Sequence, residues 1–331
     1  MNGKKTLLSG ITATGKLTLG NYIGAIKNMV KMQEQYDSYI FVADLHALTI
    51  PIDPKTLAKN RNDIFSLYLA CGLDPEKSTI FFQSDVIENG VMNWYVLTNT
   101  TIGELSRMTQ YKDKSAKVKS ANGMETIPTG LLIYPTLMAS DILLYNADVV
   151  PVGIDQKQHV ELARNLAQRL NNKYKVDFKI PEAIIPKVGA KIMSLVEPTK
   201  KMSKSDDNPK SAIYLLDDPD EAYKKIIKSV TDSEGKIYIS ENKPGITNLL
   251  TIYSALKEIS LLEAENIFKD KNYGELKIAV ATVVKEFLTN IQEKYHRIIA
   301  QLDKYRELGA NKASKIAKEN LKKLTKGIGL N

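Results

Sequence analysis

The sequence predicts an α/β fold in which a Rossmann-like parallel-sheet domain is joined to a smaller all-α domain. Up to about residue 186, short apolar runs alternate with longer stretches of helical periodicity, whereas beyond it apolar residues recur only at helical spacing. The 331 residues are 43% apolar and 25% charged. This length and composition suit two globular domains and exclude a disordered or fibrous protein.

The strand and helix candidates follow one another in order. Apolar runs at residues 7–8, 39–43, 79–82 and 149–152 indicate strands, and residues 22–36, 54–71, 90–99, 128–145 and 155–171 have helical spacing. This alternation predicts a parallel sheet with ligands at the carboxyl ends of its strands. In the second half, Asp218 before Pro219 marks a helix start, and one long amphipathic helix is predicted over about residues 280–302.

Charge and cysteine content narrow the functional classes. Lys and Arg number 46 against 38 Asp and Glu, a net charge of +8, which suits a polyanionic partner without requiring one. The single cysteine, Cys71, excludes an internal disulfide and favours a reducing compartment. No signal peptide is recognisable, and no window approaches the roughly 18 apolar residues of a membrane span. We therefore expect a cytoplasmic protein with no membrane association.

A glycine-rich segment near the N-terminus predicts phosphate binding. The sequence GITATGKL at residues 10–17 matches the P-loop pattern G-x-x-x-x-G-K, but Leu17 stands where Ser or Thr should hold magnesium. A strand, loop and helix at this point would still direct backbone N–H groups at an anion. A glycine-rich connection without a ligand is the alternative.

Two short motifs carry a family resemblance. Thr18-Leu-Gly-Asn21 follows the glycine-rich segment directly, and Lys-Met-Ser-Lys-Ser stands at residues 201–205. Together they resemble the two signature motifs of class I aminoacyl-tRNA synthetases, with Thr18 and Asn21 in place of two histidines as in the tryptophanyl branch. Residues 103–114, 137–146, 150–159 and 187–194 resemble blocks of the same branch.

The resemblance implies an activity, partners and a domain plan. The expected enzyme activates L-tryptophan with ATP to tryptophanyl-adenylate and pyrophosphate, then transfers tryptophan to the 3' end of its tRNA. A homodimer is implied, with its dimer surface on the catalytic domain. Residues 1–186 would form that catalytic domain, 187–217 a linker with the KMSKS loop, and 218–300 the anticodon-binding domain. Residues 301–331 would form a C-terminal helix that either contacts tRNA phosphates or packs back on the catalytic domain.

The activation chemistry explains the lysines. A carboxylate attacks the α-phosphate of ATP, so the protein must position two anions and neutralise charge on departing pyrophosphate. Lys201 and Lys204 lie in a loop without apolar anchors that could close over the triphosphate, and Lys114 would approach from the other side. Magnesium would be carried by the phosphates, with no protein metal site and no tightly bound cofactor.

The resemblance also assigns these nucleotide residues individually. The implied catalytic residues are Lys201, Lys204, Lys114, Thr18 and Asn21. The implied ATP-binding residues are Thr12, Ala13, Thr14, Gly20, Asn21, Gly153, Ile154, Asp155, Ile192, Lys201, Met202, Ser203, Lys204 and Ser205.

One helix predicts the amino-acid pocket. Tyr134, Met138, Asp141 and Tyr145 are spaced by four, three and four residues and therefore share a face. A buried aspartate among apolar neighbours needs a donor, which a group of the protein could supply. The resemblance implies instead that Asp141 accepts the indole N–H. The implied tryptophan-binding residues are Asp141, Met138, Tyr134, Gln156, His46, Val150, Val152 and Gly10.

Some positions depart from the family, and three other functions compete. Leu8, Thr12 and Ile154 stand where relatives often carry other residues, so their side-chain roles are the least defined. A tyrosyl enzyme of the same fold would need a second polar group for the phenol. A P-loop nucleotide kinase is disfavoured by Leu17, and a non-catalytic RNA-binding relative would lack the intact motif at residues 201–205.

Overall fold

A computed structural model describes residues 3–122, 127–185, 191–203, 206 and 208–330. It contains one five-stranded sheet in the order β3-β2-β1-β4-β5, in which every pairing is parallel. The predicted α/β class is therefore confirmed. The strands are β1 (Thr6–Thr12), β2 (Asp37–Ala43), β3 (Ser78–Phe82), β4 (Val149–Pro151) and β5 (Glu182–Ile184).

The helices connect the strands and then form the second half of the chain. In the part of the chain that the structure describes, no helix is long and apolar enough to cross a membrane. Their bounds are α1 (Leu19–Asn21), α2 (Lys27–Met32), α3 (Asp44–Ala47), α4 (Pro54–Ala70), α5 (Glu88–Leu97), α6 (Ile102–Ser106), α7 (Thr109–Asn122), α8 (Thr129–Leu144), α9 (Lys157–Tyr174), α10 (Pro219–Ile227), α11 (Pro244–Lys257), α12 (Leu261–Phe268), α13 (Tyr273–Ile299) and α14 (Leu302–Ile328).

The topology places a crevice beside β1. Chain order runs outward from β1 to β2 to β3, and then returns to the opposite side of β1 with β4. Connections that leave adjacent strands in opposite directions open a crevice at their carboxyl ends, which is where open parallel sheets bind ligands. The segments that follow β1 and β4 contain the first signature motif and Gly153.

Each face of the sheet is covered by its own hydrophobic core. Leu7 and Ile40 point to a core shared with α4 and the helices of the second half. The alternate residues Leu8 and Phe41 point to the other core, formed with α8, α9 and α14. Two buried faces explain why these strands read as continuous apolar runs.

Buried contacts join the helical half to the sheet domain. The Tyr295 hydroxyl on α13 donates to Asp63 Oδ1 on α4 over 2.7 Å. Helix α14 returns to β3, where Gly309 lies so close that a Cβ would fall 1.7 Å from the Ile80 carbonyl oxygen. The Asn320 amide also donates to the Leu144 carbonyl over 2.9 Å. The C-terminal helix therefore packs on the sheet domain.

Several predicted element bounds were wrong. Strand β1 continues to Thr12, well beyond the apolar run at residues 7–8 that predicted it. The helix after Thr18 contains a π-helical turn over Tyr22–Ile26, and β5 was not predicted. The long helix ends at Ile299, and Leu302 begins α14, although the apolar spacing continues across the break.

Candidate active site

The first signature motif forms the start of a helix. The Thr18 hydroxyl accepts the Asn21 backbone N–H over 3.2 Å, while Asn21 Oδ1 accepts the Thr18 backbone N–H over 2.9 Å. This reciprocal capping satisfies two N–H groups that a helix start otherwise leaves unpaired. Thr18 is buried and Asn21 half-buried, so the pair forms a fixed helix start at the mouth of the crevice.

Backbone pairing brings the second signature motif beside the first. The Leu19 N–H donates to the Ile213 carbonyl over 2.8 Å, and the Leu215 N–H donates to the Leu17 carbonyl over 2.9 Å. A Cβ on Gly20 would lie 3.7 Å from Met202 Cβ and 3.6 Å from Ile192 Cβ. Residues about 180 positions apart therefore line one site.

The second motif begins as a short antiparallel hairpin. Lys201 pairs with Met193, and the Met202 N–H donates to the Ile192 carbonyl over 2.9 Å. Met202 and Ile192 are buried, Ser203 is half-buried, and Lys201 is exposed. Lys204 and Ser205 lie outside the described residues. Buried Met202 and Ile192 anchor the hairpin next to Lys201 while its ammonium stays accessible, so the prediction of a loop without apolar anchors is wrong at this position.

The glycine-rich segment does not form a P-loop. Gly10 lies inside β1, paired with Phe41, and a Cβ there would meet the Phe41 carbonyl oxygen at 2.7 Å. Leu17 is buried in the core. A P-loop needs the whole G-x-x-x-x-G-K segment to wrap around phosphates. The predicted phosphate loop is therefore wrong over residues 10–12 and is confined to the short connection after β1.

The three predicted ATP residues at this connection differ in accessibility. Thr12 ends β1 and is half-buried, as is Thr14. Ala13 is fully buried, its N–H donates to the Ala43 carbonyl, and its carbonyl accepts the Asn60 amide, both over 3.4 Å. The backbone of Ala13 is thus already used in the scaffold.

Asp141 on α8 forms the centre of a buried polar cluster. It is 2% exposed, and Gln83 Nε2 donates to both of its oxygens over 2.9 Å. His46 Nε2 lies 3.0 Å from Asp141 Oδ2, and an ionised carboxylate can only accept from it. Burial raises the pKa of Asp141, while the His46 and Gln83 contacts oppose that rise. His46 lies in α3, which directly follows β2.

A second chain of hydrogen bonds runs from Tyr134 to Asp155. The Tyr134 hydroxyl lies 3.0 Å from His159 Nε2, and His159 Nδ1 lies 2.9 Å from Gln156 Oε1. The Gln156 amide in turn donates to Asp155 Oδ2 over 2.8 Å. Because Gln156 Oε1 can only accept, His159 Nδ1 carries the proton and Nε2 accepts from Tyr134.

The surroundings of this chain fix its protonation. Burial, with Lys114 as a neighbouring cation, lowers the pKa of His159 to about 4, so its imidazole is neutral near pH 7. Burial raises the pKa of Tyr134 to about 12. The Lys114 ammonium lies 5.0 Å from the centre of the Tyr134 ring. Lys114, predicted as a catalytic residue, therefore lies beside Tyr134, which was predicted to bind tryptophan.

The turn after β4 presents polar groups beside the crevice. Gly153 precedes a 3-10 turn, Ile154–Gln156, and a Cβ on Gly153 would lie 2.7 Å from Asp155 Oδ1. Asp155 is exposed, and the Gln110 amide approaches its Oδ2 at 3.3 Å. Ile154 is 70% exposed, so its side chain packs against little of the chain.

The apolar residues predicted for tryptophan lie on one side of the sheet. Val150, Val152 and Met138 pack in the core that contains α8, and His46 and Tyr134 have ring centres 6.5 Å apart. A cavity of about 230 Å³ opens between β1, β4 and the helical turn after Asn21, and the predicted tryptophan residue Val152 contributes to its wall. It is lined by Ser9, Gly24, Ala25, Asn28, Met29, Met32, Pro151, Val152, Gly153 and Ile185.

The site contains residues that sequence reasoning missed. Gln83 and His159 contact the predicted residues Asp141, Tyr134 and Gln156, yet neither was assigned a role. Gln83 directly follows the apolar strand β3, a position at the ligand-binding edge of a parallel sheet that could have marked it. Over the described part of the chain, no His, Cys, Asp and Glu cluster is arranged to hold a metal ion.

Fold and site together define a class I aminoacyl-tRNA synthetase. The family model described as tRNA synthetases class I (W and Y) matches residues 1–289, and the chain belongs to this family. A tryptophan–tRNA ligase of Mycoplasmopsis pulmonis is 60% identical over 327 residues, which cover 99% of this chain and 98% of the relative. The resemblance inferred from the motifs is confirmed.

Two solved structures match nearly the whole chain. The crystal structure of tryptophanyl-tRNA synthetase from Mycoplasma pneumoniae has a TM-score of 0.88 at 42% identity and covers 99% of this chain and 98% of its own. The Campylobacter jejuni enzyme complexed with ADP and tryptophan has a TM-score of 0.84 at 35% identity, with coverage of 98% and 100%.

Proposed function

We propose that the protein is a tryptophan–tRNA ligase. It activates L-tryptophan with ATP, releasing pyrophosphate, and transfers tryptophan from the adenylate to the 3' end of tRNA. The observation that carries this proposal is the meeting of Gly20 in the first motif with Met202 in the second, in a chain that also holds the buried carboxylate of Asp141. Relatives named as tryptophan–tRNA ligases, at up to 60% identity over nearly the whole chain, support it.

The nucleotide is proposed to bind between the two signature motifs. The capped helix start at Thr18 directs a positive dipole end at phosphate. Lys201, with Lys204, would neutralise charge on the departing pyrophosphate, and Asp155 would hold the ribose. Magnesium is proposed to arrive with the phosphates, which supply its oxygen ligands. ADP in the Campylobacter jejuni structure supports an adenine nucleotide as ligand.

The side chain of tryptophan is proposed to reach Asp141. Gln83 and His46 occupy part of the carboxylate, whose two oxygens offer about four lone-pair positions, so an indole N–H can still bind. Met138 and Val150 supply apolar walls. A tyrosine phenol would need a further polar partner, whereas a phenylalanine ring would leave the acceptor unpaired. This chemistry favours tryptophan over tyrosine within the W and Y family.

The domain plan remains part of the proposal. Residues 1–186 would catalyse activation, 187–217 would form the linker with the KMSKS loop, and 218–300 would read the anticodon end of tRNA. Residues 301–331, which include α14, carry eight Lys and Arg against three Asp and Glu. Because α14 packs on β3, we propose that this charge contacts the acceptor end of tRNA rather than the anticodon end. A free, partly buried Cys71 is compatible with a cytoplasmic location.

A homodimer is proposed from an apolar face on α5. Ile87 just before this helix and Val91 and Trp94 within it follow at spacings of four and three, and their side chains are 78%, 39% and 63% exposed. Ile102 on the neighbouring α6 is 77% exposed. Exposed large side chains grouped on one face mark an interaction surface. A second copy of the chain is the occupant that the family resemblance implies.

Specificity should depend on Asp141. Replacing Asp141 by Asn removes the charged acceptor, so tryptophan affinity should fall about 10- to 100-fold while ATP affinity is unchanged. Isothermal titration of each ligand measures this. Asp63→Asn is the matched control, because Asp63 is also buried but binds Tyr295 away from the site. Unchanged tryptophan affinity and selectivity in Asp141→Asn would show that Asp141 is structural only.

The oligomeric state should depend on Trp94. A charge at this apolar position would be buried in a dimer without a partner, so Trp94→Glu should shift sedimentation from dimer to monomer mass. Leu262→Glu on α12 is the control, since Leu262 is 66% exposed but lies in the helical half. A monomeric unaltered protein, or a Trp94→Glu protein that stays dimeric, would refute the proposed interface.

Reading of tRNA should depend on the helical half. Reversing the charge of exposed Lys228 and Lys236 together should raise the KM for tRNA, most strongly at low salt, and leave pyrophosphate exchange unchanged. Reversal of Lys315 and Lys318 on α14 provides the comparison. If only the α14 pair affects the KM for tRNA, the assignment of residues 218–300 is wrong.

A further inference from the structure

Asn248 on α11 holds the backbone of Met193 at two points. The Met193 N–H donates to Asn248 Oδ1 over 2.8 Å, and Asn248 Nδ2 donates to the Met193 carbonyl over 2.9 Å. Asn248 is only 3% exposed. Both polar ends of one buried amide are thus used on a single residue of another segment.

This amide contributes little to its own helix. Asn is a weaker helix former than Leu or Ala, and the neighbours Leu249 and Leu250 are fully buried apolar residues of the core. A buried amide is costly unless its groups are paired. What Asn248 stabilises is therefore the segment that it binds.

Met193 is the residue that pairs with Lys201. Their antiparallel bridge is flanked by hydrogen bonds from the Ser194 N–H to the Lys200 carbonyl over 2.8 Å and from the Met202 N–H to the Ile192 carbonyl. In such a ladder the two backbones move together. A shift of Met193 would displace Lys201.

The described part of the hairpin is held both by backbone bonds and by a side chain. The Leu195 N–H donates to the Ser211 carbonyl over 2.9 Å, and the Leu195 carbonyl accepts the Val230 N–H over 2.8 Å. Met193 is held by the Asn248 side chain on α11. The Asn248 contact can be removed by changing one side chain, whereas the bonds at Leu195 use main-chain groups.

We propose that Asn248 is a positioning residue for the activation step, which fixes Met193 and thereby places the ammonium of Lys201 on the triphosphate. This inference rests on the proposed function, because it assigns Lys201 to the departing pyrophosphate. Asn248 itself touches no substrate. It acts through the Met193–Lys201 bridge, and its removal affects the nucleotide and not the amino acid.

The first test is Asn248→Ala. Two lost hydrogen bonds should lower the rate of tryptophan-dependent pyrophosphate–ATP exchange by on the order of tenfold and raise the KM for ATP, with the KM for tryptophan unchanged. Asn320→Ala removes a buried amide that also binds a backbone carbonyl, but on α14. It should cost comparable thermal stability and leave both KM values unchanged. Identical kinetics in the two variants would overturn the proposal.

Asn248→Asp provides a readout that lost stability alone would not produce. A carboxylate still accepts the Met193 N–H but opposes the Met193 carbonyl, whereas the protonated acid can donate to it as the amide does. Burial raises the pKa of such an acid. The exchange rate relative to the unaltered protein should therefore rise as the pH is lowered from about 8 to about 6. A ratio that stays flat over this range counts against the proposal.

A double-mutant cycle with Lys201→Ala completes the test. If Asn248 acts through Lys201, adding Asn248→Ala to Lys201→Ala should lower the exchange rate by less than twofold further. Additive losses would show that Asn248 acts elsewhere. If Lys201→Ala alone leaves exchange unchanged, the proposed role of the loop fails, and this inference fails with it. A slow Lys201→Ala with a normal Asn248→Ala refutes the inference alone.

Discussion

The site depends on two backbone hydrogen bonds that join residues 17–19 to residues 213–215. These bonds, 2.8 and 2.9 Å long, join the start of α1 to the segment that follows the second signature motif at residues 201–205. Because the bonds join main-chain groups, they do not depend on which side chains occupy these positions. The reciprocal cap between Thr18 and Asn21 then fixes the helix start, and Gly20 leaves room for Ile192 and Met202.

Burial determines the chemistry on the other side of β1. Asp141 and His159 are both nearly inaccessible to water, and burial disfavours the charged form of each group. His159 responds by staying neutral and bridging Tyr134 to Gln156, whereas Asp141 takes amide and imidazole donors. The Asp141 carboxylate is therefore held in one orientation by its partners, which is what the proposed indole N–H acceptor requires.

Much of this organisation could be predicted from the sequence because it has short-range signals. Apolar runs marked four of the five strands, and Asp218 before Pro219 marked a helix start that the structure confirms. Strand β5 could not be predicted because it has only three residues, one of them Glu182, which is too few to show an alternating apolar pattern. The boundary between α13 and α14 could not be predicted because Ile298 and Leu302 are four residues apart, a helical spacing that continues across it.

The functional site, like the fold, could be predicted only where its residues stand in local motifs. Thr18, Asn21 and Asp141 stood in recognisable motifs, but the partners Gln83 and His159 come from segments 58 and 25 residues distant from the groups they bind. The position of Gln83 after an apolar strand could have marked it, whereas a lone histidine in a helical pattern gives no sign of its tertiary neighbours. Long-range pairing also decided the glycine-rich segment, since ladder bonds to β2 keep residues 10–12 in a strand instead of a phosphate loop.

Pyrophosphate–ATP exchange, measured for the unaltered protein with each of the twenty amino acids and without tRNA, tests the central claim most directly. If the paired motifs form an adenylate-producing site beside the Asp141 acceptor, tryptophan alone should support rapid exchange. Tyrosine and phenylalanine should be slower by about 10⁴-fold, the discrimination expected when a polar pocket lacks its partner. Exchange supported equally by tyrosine, or ATP turnover that needs no amino acid, would contradict the account.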